Sequence, residues 1–475
     1  MIKNLKADVT IISAGTAGLI AAITAAQGGA SVIVFEKSAH IGGTGRMAGG
    51  LFAVESSFQD ARQLSLTREE VFDIYMKFTH WRVNGRLVKT LFDMSADTID
   101  WLQSLGVEFL DVFAHGKGNY YTWHVVKGPC GDFGYTGAAA TMMKILTEKA
   151  KALGVKFYTK TPVTGIIKDG ERITGVKAKD ESGNEFHTRS KAVIVATGGY
   201  SIGSVPGMPG GIGDGIRLAK AAGAAVKEVE PEKLIIMGKM PPRQMGMHMS
   251  RVYQIIDQPI LFVNLMGERF MNEDIVLSPI YPGNIISRQP EQHGFGIFDV
   301  DTAKYYFNKG TQSIGSGPSE GNKRVTDFKA EITKIRKEQP NSIADSLEEL
   351  CCKTGIDLNG LQETLKEYNK ACETGRDGAF NKQVKYLMAV KRPPFFVAMR
   401  NGNSALTWNG IKVNYRTEVL TPEFKVIPGL YAAGMDIADE LLHDTYPFMF
   451  PGTAMGFAVN SGRLSAENAL NYINR

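Results

Sequence analysis

Cysteine is scarce in this chain, and the positions of the few cysteines exclude several kinds of cofactor site. Four occur among 475 residues, namely Cys130, the neighbouring pair Cys351 and Cys352, and Cys372. Their spacing fits neither a zinc site nor an iron–sulfur cluster, and no Cys-x-x-Cys-His sequence for haem attachment occurs. The neighbouring pair could carry redox chemistry, although two thiols in the core or on a helix surface are the commoner arrangement.

Long apolar runs and a strong charge bias are also missing. No apolar run approaches the roughly 20 residues that a membrane-spanning helix needs, and Met1–Asp8 leads straight into the first predicted strand. Because this leaves no room for a signal peptide, we expect a cytoplasmic protein without a membrane span. The formal charge is +5 and the basic residues are dispersed, so a solvated surface is expected and a nucleic-acid partner is not.

The remaining composition is that of an ordinary globular protein, with 43% hydrophobic and 22% charged residues. A chain of 475 residues is too long for one ordinary core, so two or more domains are expected. The 52 glycines cluster in loops, and neither an internal repeat nor a low-complexity tract is visible.

The first fifty residues carry the clearest pattern. An apolar strand beginning at Asp8 precedes a tight turn, Ser13–Gly18, and a helix of small residues that ends near Gly28. A second apolar strand, Ser31–Phe35, is followed immediately by Glu36. A strand, a glycine turn, a helix and a second strand ending in an acid form the layout of a dinucleotide-binding site.

Each residue of this turn has an expected task. Gly15 lets the backbone approach a pyrophosphate, Gly18 lets the helix pack closely on the strand, and the helix N-terminus attracts the phosphate charge. Glu36 lies 21 residues beyond Gly15, close to the ~20 residues expected for an acid that binds the ribose. Ser13 stands where the first glycine of the motif is usual, so the turn by itself is a weak signal.

The rest of the chain alternates between this nucleotide domain and an inserted one. Residues 68–105 have helical periodicity, residues 163–184 have the turn spacing of hairpins, and Ala192–Ala196 is an apolar strand that returns to the nucleotide sheet. A C-terminal helix is expected to begin near Gly452. The predicted stretches are the first part of the nucleotide domain at 1–225, the inserted domain at 226–385 and the second nucleotide part at 386–475.

A glycine-rich segment at 106–137 is long for a connection inside a compact domain, and it is either functional or a surface excursion. It contains Tyr121 and His124. His443, near the other end of the chain, is a second histidine that could line a pocket. A lone histidine is more often a satisfied structural residue, so both interpretations stay open.

Ordered motifs along the whole chain resemble the fumarate reductase/succinate dehydrogenase superfamily of flavoproteins, which includes the 3-ketosteroid dehydrogenases. The matching stretches are Gly15–Gly18 with Glu36, Gly42–Thr44, Ala196–Gly199, Gly213–Gly215, Val263–Glu273, Leu361–Asn369 and Gly429–Gly434. The resemblance implies an α/β fold, in which a Rossmann-like FAD domain of the two-dinucleotide-binding type surrounds a parallel sheet. It also implies an inserted α+β capping domain.

The resemblance further implies how the cofactor is held. In the respiratory members a histidine of the early glycine-rich loop carries the flavin covalently, and Gly42–Gly50 contains no histidine. Noncovalent FAD is therefore expected, with His40 just before the loop as the covalent alternative. The predicted FAD contacts are Ser13, Gly15, Thr16, Ala17, Gly18, Glu36, Lys37, Gly42, Gly43, Thr44, Gly49, Gly50, Val163, Ala196, Thr197, Gly198, Asp214, Gly434, Gly452, Thr453, Ala454 and Met455.

Three groups that the dicarboxylate-reducing members use to bind a dianion are missing from the matching positions. Asn272–Glu273 is followed by no arginine until Arg288, residues 404–410 contain no histidine, and Phe448–Gly452 contains no arginine. Burying a dicarboxylate without these groups would cost several kcal/mol per charge. A fumarate-like substrate is therefore not expected.

The C-terminal segment instead resembles the ketosteroid dehydrogenase branch, through Tyr446-Pro447 and Pro451–Gly456, with about two extra residues between them. Tyr446, together with the N–H of Gly452 or Thr453, is predicted to hold a carbonyl oxygen of the substrate. Tyr281 or Tyr121 is predicted to carry the proton. Each tyrosine could equally be a packed aromatic residue with a satisfied hydroxyl.

Together these features predict a FAD-dependent oxidoreductase that acts on CH–CH bonds, as an ene-reductase or dehydrogenase, by hydride transfer at flavin N5. The expected substrate is an apolar cyclic enone or ketone of steroid-like character, and a diffusible partner must donate or accept the electrons. Two alternatives stay open. One is a reductase of a small unsaturated carboxylate, with cations such as Arg46, Arg243 or Arg251. The other is a flavin electron carrier without substrate turnover.

Overall fold

The chain divides into two compact units, each with its own hydrophobic core. The first unit consists of Met1–Ser201, Gly207–Pro231 and Leu406–Arg475, and the second of Ile202–Pro206 and Glu232–Ala405. The computed structural model describes residues 2–114, 118–128, 138–199, 211–227, 236–237, 252, 255–256, 258–277, 281–311, 325–401 and 410–474.

The N-terminal stretch alternates strands and helices. Its strands are β1 Ile2–Ile12, β2 Val32–Phe35, β3 Gly50–Phe52, β4 Phe109–Phe113, β5 Trp123–Val126, β6 Lys156–Tyr158, β7 Val163–Asp169, β8 Arg172–Lys179, β9 Glu185–Val195 and β10 Val226–Lys227. Its α-helices are α1 Thr16–Gln27, α2 Ser57–Ala61, α3 Arg68–Phe78, α4 Gly85–Asp93, α5 Ser95–Ser104, α6 Ala139–Ala152 and α7 Asp214–Ala221.

The middle and C-terminal stretches complete the two units. The middle strands are β11 Ile236–Met237, β12 Leu261–Val263, β13 His293–Phe298, β14 Ile343–Ala344 and β15 Phe395–Asn401. The middle helices are α8 Tyr281–Ile286, α9 Val300–Lys309, α10 Phe328–Glu338, α11 Leu347–Thr354 and α12 Leu358–Thr374. The C-terminal elements are β16 Gly410–Ile411, β17 Glu418–Leu420, β18 Val426–Ala432, α13 Ala438–Leu441 and α14 Thr453–Ile473.

A largely parallel sheet forms the frame of the first unit, as the sequence predicts. Its order is β17-β18-β9-β1-β2-β6, and β7 with β8 continues from β9 as an antiparallel hairpin. β1 is parallel to both of its neighbours, so that Ile11 pairs with Val34 on one side and with Ile194 on the other. β18 is parallel to β9, which returns the C-terminal stretch to the same sheet.

The central strands are apolar because helices cover the sheet. Val9 and Ile11 of β1 and Ile194 of β9 are fully buried. Helix α1 packs against the sheet and against α14, and small residues allow the two helices to come close. A Cβ atom at Gly462 would stand 2.5 Å from the carbonyl oxygen of Ala17. The C-terminal helix is thereby fixed beside the N-terminal glycine turn.

The helical periodicity at 68–105 corresponds to three separate helices, α3, α4 and α5. Thr67 caps α3 in a capping box with Glu70, and the Asn84 side chain caps α4 by accepting a hydrogen bond from the Leu87 N–H. The Asn84 cap therefore divides the periodic stretch between α3 and α4. Among the helices of the described part of the chain, none combines the length and apolar character needed to cross a membrane.

The second unit is an α+β body around an antiparallel sheet. β13 pairs with β12 and β15, and β15 also pairs with β11 and β14. A buried ion cluster joins its helices to its loops: the Arg269 guanidinium lies 2.7 Å from Glu273 and 2.8 Å from Asp377. The Lys382 ammonium lies 3.3 Å from the same Glu273 carboxylate.

Strand β15 lies beyond the boundary near residue 385 that the sequence suggests. Its residues Phe396 and Ala398 pack in one core cluster of the second unit, and Phe395 and Val397 pack in the other. Because the two faces of this strand complete both clusters, the second unit extends through Ala405.

Candidate functional site

The N-terminal turn leaves one side open to a ligand and closes the other. A Cβ atom at Gly18 would lie 2.1 Å from the Ser13 carbonyl oxygen, so glycine is required for helix α1 to pack this closely on β1. A Cβ atom at Gly15, the N-cap residue of α1, would meet nothing closer than 3.8 Å. Ser13 has φ of 85°, the left-handed conformation that the usual glycine adopts freely. The turn is therefore closed toward β1 at Gly18 and open at Gly15, where the sequence predicts the pyrophosphate.

Glu36 is tied to the same turn. One carboxylate oxygen accepts hydrogen bonds from the Ala14 N–H at 2.8 Å and from the Ser13 hydroxyl at 3.0 Å. The other oxygen accepts one from the Ser38 N–H at 2.8 Å. A carboxylate can accept about four hydrogen bonds. The oxygen that faces Ser38 therefore retains capacity for a ribose hydroxyl.

A cavity at the carboxyl ends of β1 and β2 gathers five of the predicted cofactor residues. These are Ser13, Lys37, Val163, Thr197 and Asp214, and the other lining residues are Ile12, Phe35, Pro162 and Leu218. The Lys37 ammonium lies 2.9 Å from the Asp214 carboxylate. The cavity therefore combines apolar walls with a few polar groups at the ends of parallel strands, the position at which α/β sheets bind nucleotides.

Asp436 is a site residue that the sequence interpretation misses. It is fully buried and accepts hydrogen bonds from the Thr197 hydroxyl at 2.9 Å and from the N–H groups of Gly198 and Gly199 at 3.2 and 3.0 Å. This carboxylate therefore joins the turn after β9 to the turn after β18. An acid two residues after Gly434, at the carboxyl end of a parallel strand, was the signal that could have found it.

The glycine-rich loop folds back onto the N-terminal turn. The Gly42 N–H donates to the Ala14 carbonyl oxygen at 2.8 Å, and a 3₁₀ turn at Gly43–Met47 follows. The Thr16 hydroxyl lies 3.6 Å from the Met455 sulfur of α14. Residues from three distant parts of the predicted FAD site thus meet in the first unit.

The N-terminus of α14 and Tyr446 form a second centre in the first unit. Gly452 is the N-cap residue, with φ of 88°, and a Cβ atom there would stand 2.5 Å from the Phe52 nitrogen. The Ala454 N–H donates a hydrogen bond of 3.1 Å to the Tyr446 hydroxyl oxygen. Burial raises the pKa of Tyr446, and the Ala454 N–H only partly opposes this. The hydroxyl therefore stays protonated at neutral pH.

The extra residues between Tyr446 and Gly452 form a tight turn. The Phe448 N–H donates to the Tyr446 carbonyl at 2.9 Å, and the Phe450 N–H donates to the Pro447 carbonyl at 2.9 Å. The Phe448 ring lies 4.7 Å from the Tyr446 ring, between centroids, at 61°. The insertion thus places a second aromatic ring beside Tyr446.

The other two predicted catalytic tyrosines have exposed side chains. Tyr121 is 41% exposed, and the Arg62 guanidinium lies 5.9 Å from its ring. Its neighbour Tyr120, and not Tyr121, stacks on Phe450 at 5.0 Å. Tyr281 is 54% exposed and begins α8 in the second unit.

The two candidate histidines are both held by hydrogen bonds. His124 is fully buried, and its Nε2 lies 2.6 Å from the Ser56 hydroxyl. Burial lowers the pKa of His124 to about 4, so it is a neutral structural residue at physiological pH. His443 Nδ1 lies 3.0 Å from the Asp439 carboxylate.

Two of the cations considered for a carboxylate substrate, Arg243 and Arg251, lie outside the described residues, as do residues 404–409. Arg46 belongs to the 3₁₀ turn that follows Gly42. Within the described ranges, no cluster of histidine, cysteine and acidic residues has the arrangement of a metal site.

A parallel sheet with glycine turns at its strand ends and an inserted α+β unit is the architecture of a dinucleotide-binding protein. The chain belongs to the FAD binding domain family, whose model matches residues 8–447. The predicted superfamily, fold class and enzyme class are confirmed at this level: the protein is a flavin-dependent oxidoreductase acting on carbon–carbon bonds.

Relatives from different branches of the superfamily match almost the whole chain. A vinyl phenol reductase of Lactiplantibacillus plantarum is 33% identical, over 99% of this chain and 97% of the relative. A cytochrome-type fumarate reductase of Shewanella frigidimarina is 26% identical, over 98% of this chain and 77% of the relative. The structure of a 3-ketosteroid Δ1-dehydrogenase of Sterolibacterium denitrificans superposes with a TM-score of 0.73 at 17% identity, over 98% of this chain and 99% of that one.

Proposed function

We propose that the protein uses noncovalently bound FAD to reduce a carbon–carbon double bond in an uncharged, apolar substrate. The double bond is conjugated to an oxygen-bearing group, either the carbonyl of a cyclic enone or the hydroxyl of a phenol. The observation that carries this proposal is the Tyr446 hydroxyl, which is anchored at the N-terminus of α14, with the Phe448 ring beside the Tyr446 ring. The 33% identity to a vinyl phenol reductase supports the phenolic member of this class.

FAD, when bound, supplies the hydride for the reduced bond or accepts it in the reverse direction. We propose that the N-terminal turn, Glu36 and the cavity at the strand ends hold its nucleotide part. The open side of Gly15 and the unused capacity of the Glu36 carboxylate support this assignment. No histidine lies within the glycine-rich loop, and His40 before it is exposed, which favours noncovalent attachment.

We assign to Tyr446 the task of holding the substrate oxygen. That oxygen gains negative charge as hydride adds to an enone. In a vinyl phenol it does so after the terminal alkene carbon has gained a proton and the phenol has lost one, which gives a quinone methide that accepts the hydride. The Tyr446 hydroxyl oxygen already accepts a hydrogen bond from the Ala454 N–H, and accepting one bond makes a hydroxyl a stronger donor in the next. A preorganised donor of this kind accelerates a reaction by about 10²–10³-fold.

Proton delivery to carbon remains assigned to Tyr281 or Tyr121. Both side chains are exposed, so either hydroxyl can exchange its proton with water. Replacing each tyrosine by phenylalanine separates the two candidates. Only the substitution of the true proton carrier should slow substrate reduction and change the solvent isotope effect of that step. A diffusible donor completes the cycle by returning electrons to the protein.

A reductase of a small unsaturated carboxylate is the second candidate function, and the 26% identity to a fumarate reductase favours it. Such a substrate needs cationic partners, because an unpaired buried carboxylate is costly. Arg46 is one candidate partner in the first unit. The C-terminal turn beside Tyr446 offers aromatic rings and a hydroxyl, and this composition favours the neutral substrate.

The test is to reduce the FAD-loaded protein anaerobically and to mix it with candidate substrates in a stopped-flow instrument. The set contains 4-vinylphenol, cyclohex-2-enone, a 4-ene-3-ketosteroid and fumarate, and flavin absorbance reports the loss of electrons. We expect rapid reaction with one or more of the neutral compounds and a slow reaction with fumarate. Reaction with fumarate alone would support the second candidate. If the reduced flavin loses electrons to none of these compounds, the remaining candidate function is that of an electron carrier without substrate turnover.

A further inference from the structure

We propose that one exposed face of the main sheet docks the protein on an anionic lipid surface. This cationic face consists of Lys6 on β1, Lys177 and Lys179 on β8, and Arg189 and Lys191 on β9, and all five side chains are exposed. The inference is independent of the proposed function, because none of the predicted cofactor or catalytic residues lies on these three strands.

Strand register brings the five cations together. Parallel pairing of β1 with β9 aligns Lys6 with Arg189, and antiparallel pairing of β8 with β9 aligns Lys177 with His187. Side chains at every second position of a strand point to the same side of the sheet. The remaining two cations lie two residues further along β8 and β9, so all five share one side. Residues that are dispersed in the sequence therefore form a single charged surface.

The opposite side of the same strands packs into the core and fixes which side is exposed. Ala7 of β1, Val176 and Ala178 of β8, and Phe186 of β9 are buried in one hydrophobic cluster of the first unit. A shift of register by one residue would exchange these apolar side chains with the cations. The core therefore keeps the cationic face turned to solvent.

The charge of this face is only partly neutralised. Two acids stand among the cations: Asp8, which lies 2.8 Å from the Lys191 ammonium, and Glu185, the first residue of β9. Within the part of the chain that the structure describes, the other four cations form no ion pair with a carboxylate. Like charges on adjacent strands, such as Lys6 and Arg189, repel and oppose folding. An external anion that faces them would remove this repulsion.

The distribution of the cations favours an extended anionic surface over a small anion. The five side chains are spread over three neighbouring strands, each about 5 Å from the next. A flat surface of phosphate groups can therefore approach all of them at once, whereas a single phosphate can reach only one or two. A bilayer that contains phosphatidylglycerol presents such a surface, and every lysine or arginine near it adds to the attraction.

The cationic face is also well separated from the cofactor cavity. The cavity is lined by Ile12 at the carboxyl end of β1, six residues beyond Lys6, which corresponds to about 20 Å along the strand. Contact of the cationic face with a bilayer therefore leaves this cavity uncovered.

The experiment sediments the FAD-loaded protein with lipid vesicles and measures the bound fraction. One set of vesicles contains phosphatidylcholine alone, and the other contains equimolar phosphatidylcholine and phosphatidylglycerol. At an ionic strength of about 0.1 M we expect binding to the anionic vesicles and none to the neutral ones. At about 1 M the binding should disappear, because the screening length falls from about 10 Å to about 3 Å.

A double variant tests the face itself. Lys177→Gln combined with Arg189→Gln should lower the partition coefficient for anionic vesicles about twentyfold, since each cation near the surface contributes about fivefold. The matched control is Lys334→Gln combined with Lys337→Gln, at two exposed positions of α10 in the second unit. It removes the same net charge and should bind like the wild-type protein.

A second pair on the face, Lys6→Gln combined with Lys179→Gln, should reproduce the loss, and urea unfolding of each variant checks that the fold is intact. Equal losses in the control and in the variants of the face would show an effect of net charge alone and would overturn the proposal. Wild-type protein that stays unbound with anionic vesicles at about 0.1 M ionic strength would overturn it as well. Neither result bears on the reduction of substrates.

Discussion

At the level of single residues, the environment of a side chain decides between a chemical and a structural role. Tyr446 and His124 are both titratable groups in the first unit. The Tyr446 hydroxyl oxygen accepts a hydrogen bond from the Ala454 N–H at the N-terminus of α14, and burial raises the pKa of Tyr446, so that it stays protonated at neutral pH. His124 has both ring nitrogens engaged by Ser56 and Thr122 and is enclosed by protein. The first is suited to catalysis, and the second holds its segment in place.

We expect Tyr446→Phe to lower the rate constant for reduction of the substrate by about 10²–10³-fold, because the substrate oxygen loses its donor during charge development. The apparent affinity for substrate should change far less, since this bond strengthens mainly in the transition state. Single-turnover kinetics with the reduced protein measure both quantities. Tyr305→Phe, at an exposed position without an assigned role, is the control for Tyr446. An unchanged rate would assign Tyr446 to packing.

His124 should make the protein less stable in mild acid. Its pKa is about 4 in the folded protein and about 6.5 when unfolded, so between these values the unfolded chain binds more protons. Stability should therefore fall as the pH drops from 6.5 to 4, by about 3 kcal/mol for this group. Urea unfolding at a series of pH values measures the free energy of unfolding.

The corresponding variant is His124→Gln, which keeps a polar side chain and cannot titrate in this range. It should lose stability at neutral pH but show a shallower decline between pH 6.5 and 4. A decline as steep as that of the wild-type protein would mean that other groups cause the acid sensitivity.

At the level of helices and strands, close contacts between backbones position the predicted cofactor site. Helix α1 reaches β1 through Gly18, α14 reaches α1 through Gly462, and α14 reaches β3 through Gly452. These contacts bring the N-terminal turn and the N-terminus of α14 into one unit, although they lie more than four hundred residues apart in the sequence.

Gly18→Ala should therefore affect both stability and cofactor binding. The new methyl group would meet the Ser13 carbonyl oxygen, and relief of this overlap requires α1 to move away from β1. We expect a loss of about 1–3 kcal/mol in the free energy of unfolding, which is typical of overpacking. FAD affinity should also fall, because the phosphate-binding turn moves with the helix. Gly165→Ala is the control, since a Cβ atom there meets nothing within 4 Å.

At the level of the whole molecule, the predicted cofactor residues belong to the first unit, whereas the second unit has separate core clusters and the Arg269 ion cluster. The first unit should therefore depend on FAD for part of its stability. The second unit should depend on it less.

Removal of FAD should lower the unfolding temperature of the first unit. A ligand present at 100 times its Kd contributes about 2.7 kcal/mol to the stability of the state that binds it. Hydrogen exchange of peptides from β1 and β9, compared with peptides from α12, measures this difference between the units. Equal loss of protection in both units would show that FAD stabilises the chain as a whole. The variant Glu36→Gln should need more FAD for the same effect.

Elements with local signals could be predicted from the amino-acid sequence. The strand, turn and helix at Ser13–Gly18, the acid at Glu36 and the hairpin of β7 and β8 follow from spacing and from the conformational preferences of glycine. The same patterns, with the resemblance that they support, were sufficient to predict the fold class and to predict FAD as the cofactor.

Contacts between residues that are distant in the sequence became visible in the folded chain. Asp436 bonds to Thr197 across 239 positions, β15 joins the second unit although it follows paired prolines, and Phe450 finds its partner in Tyr120. Neither composition nor periodicity encodes which distant residues will meet, because such contacts depend on how all the elements pack. The same holds for the cationic face, because the register of β1 with β9 places Lys6 beside Arg189.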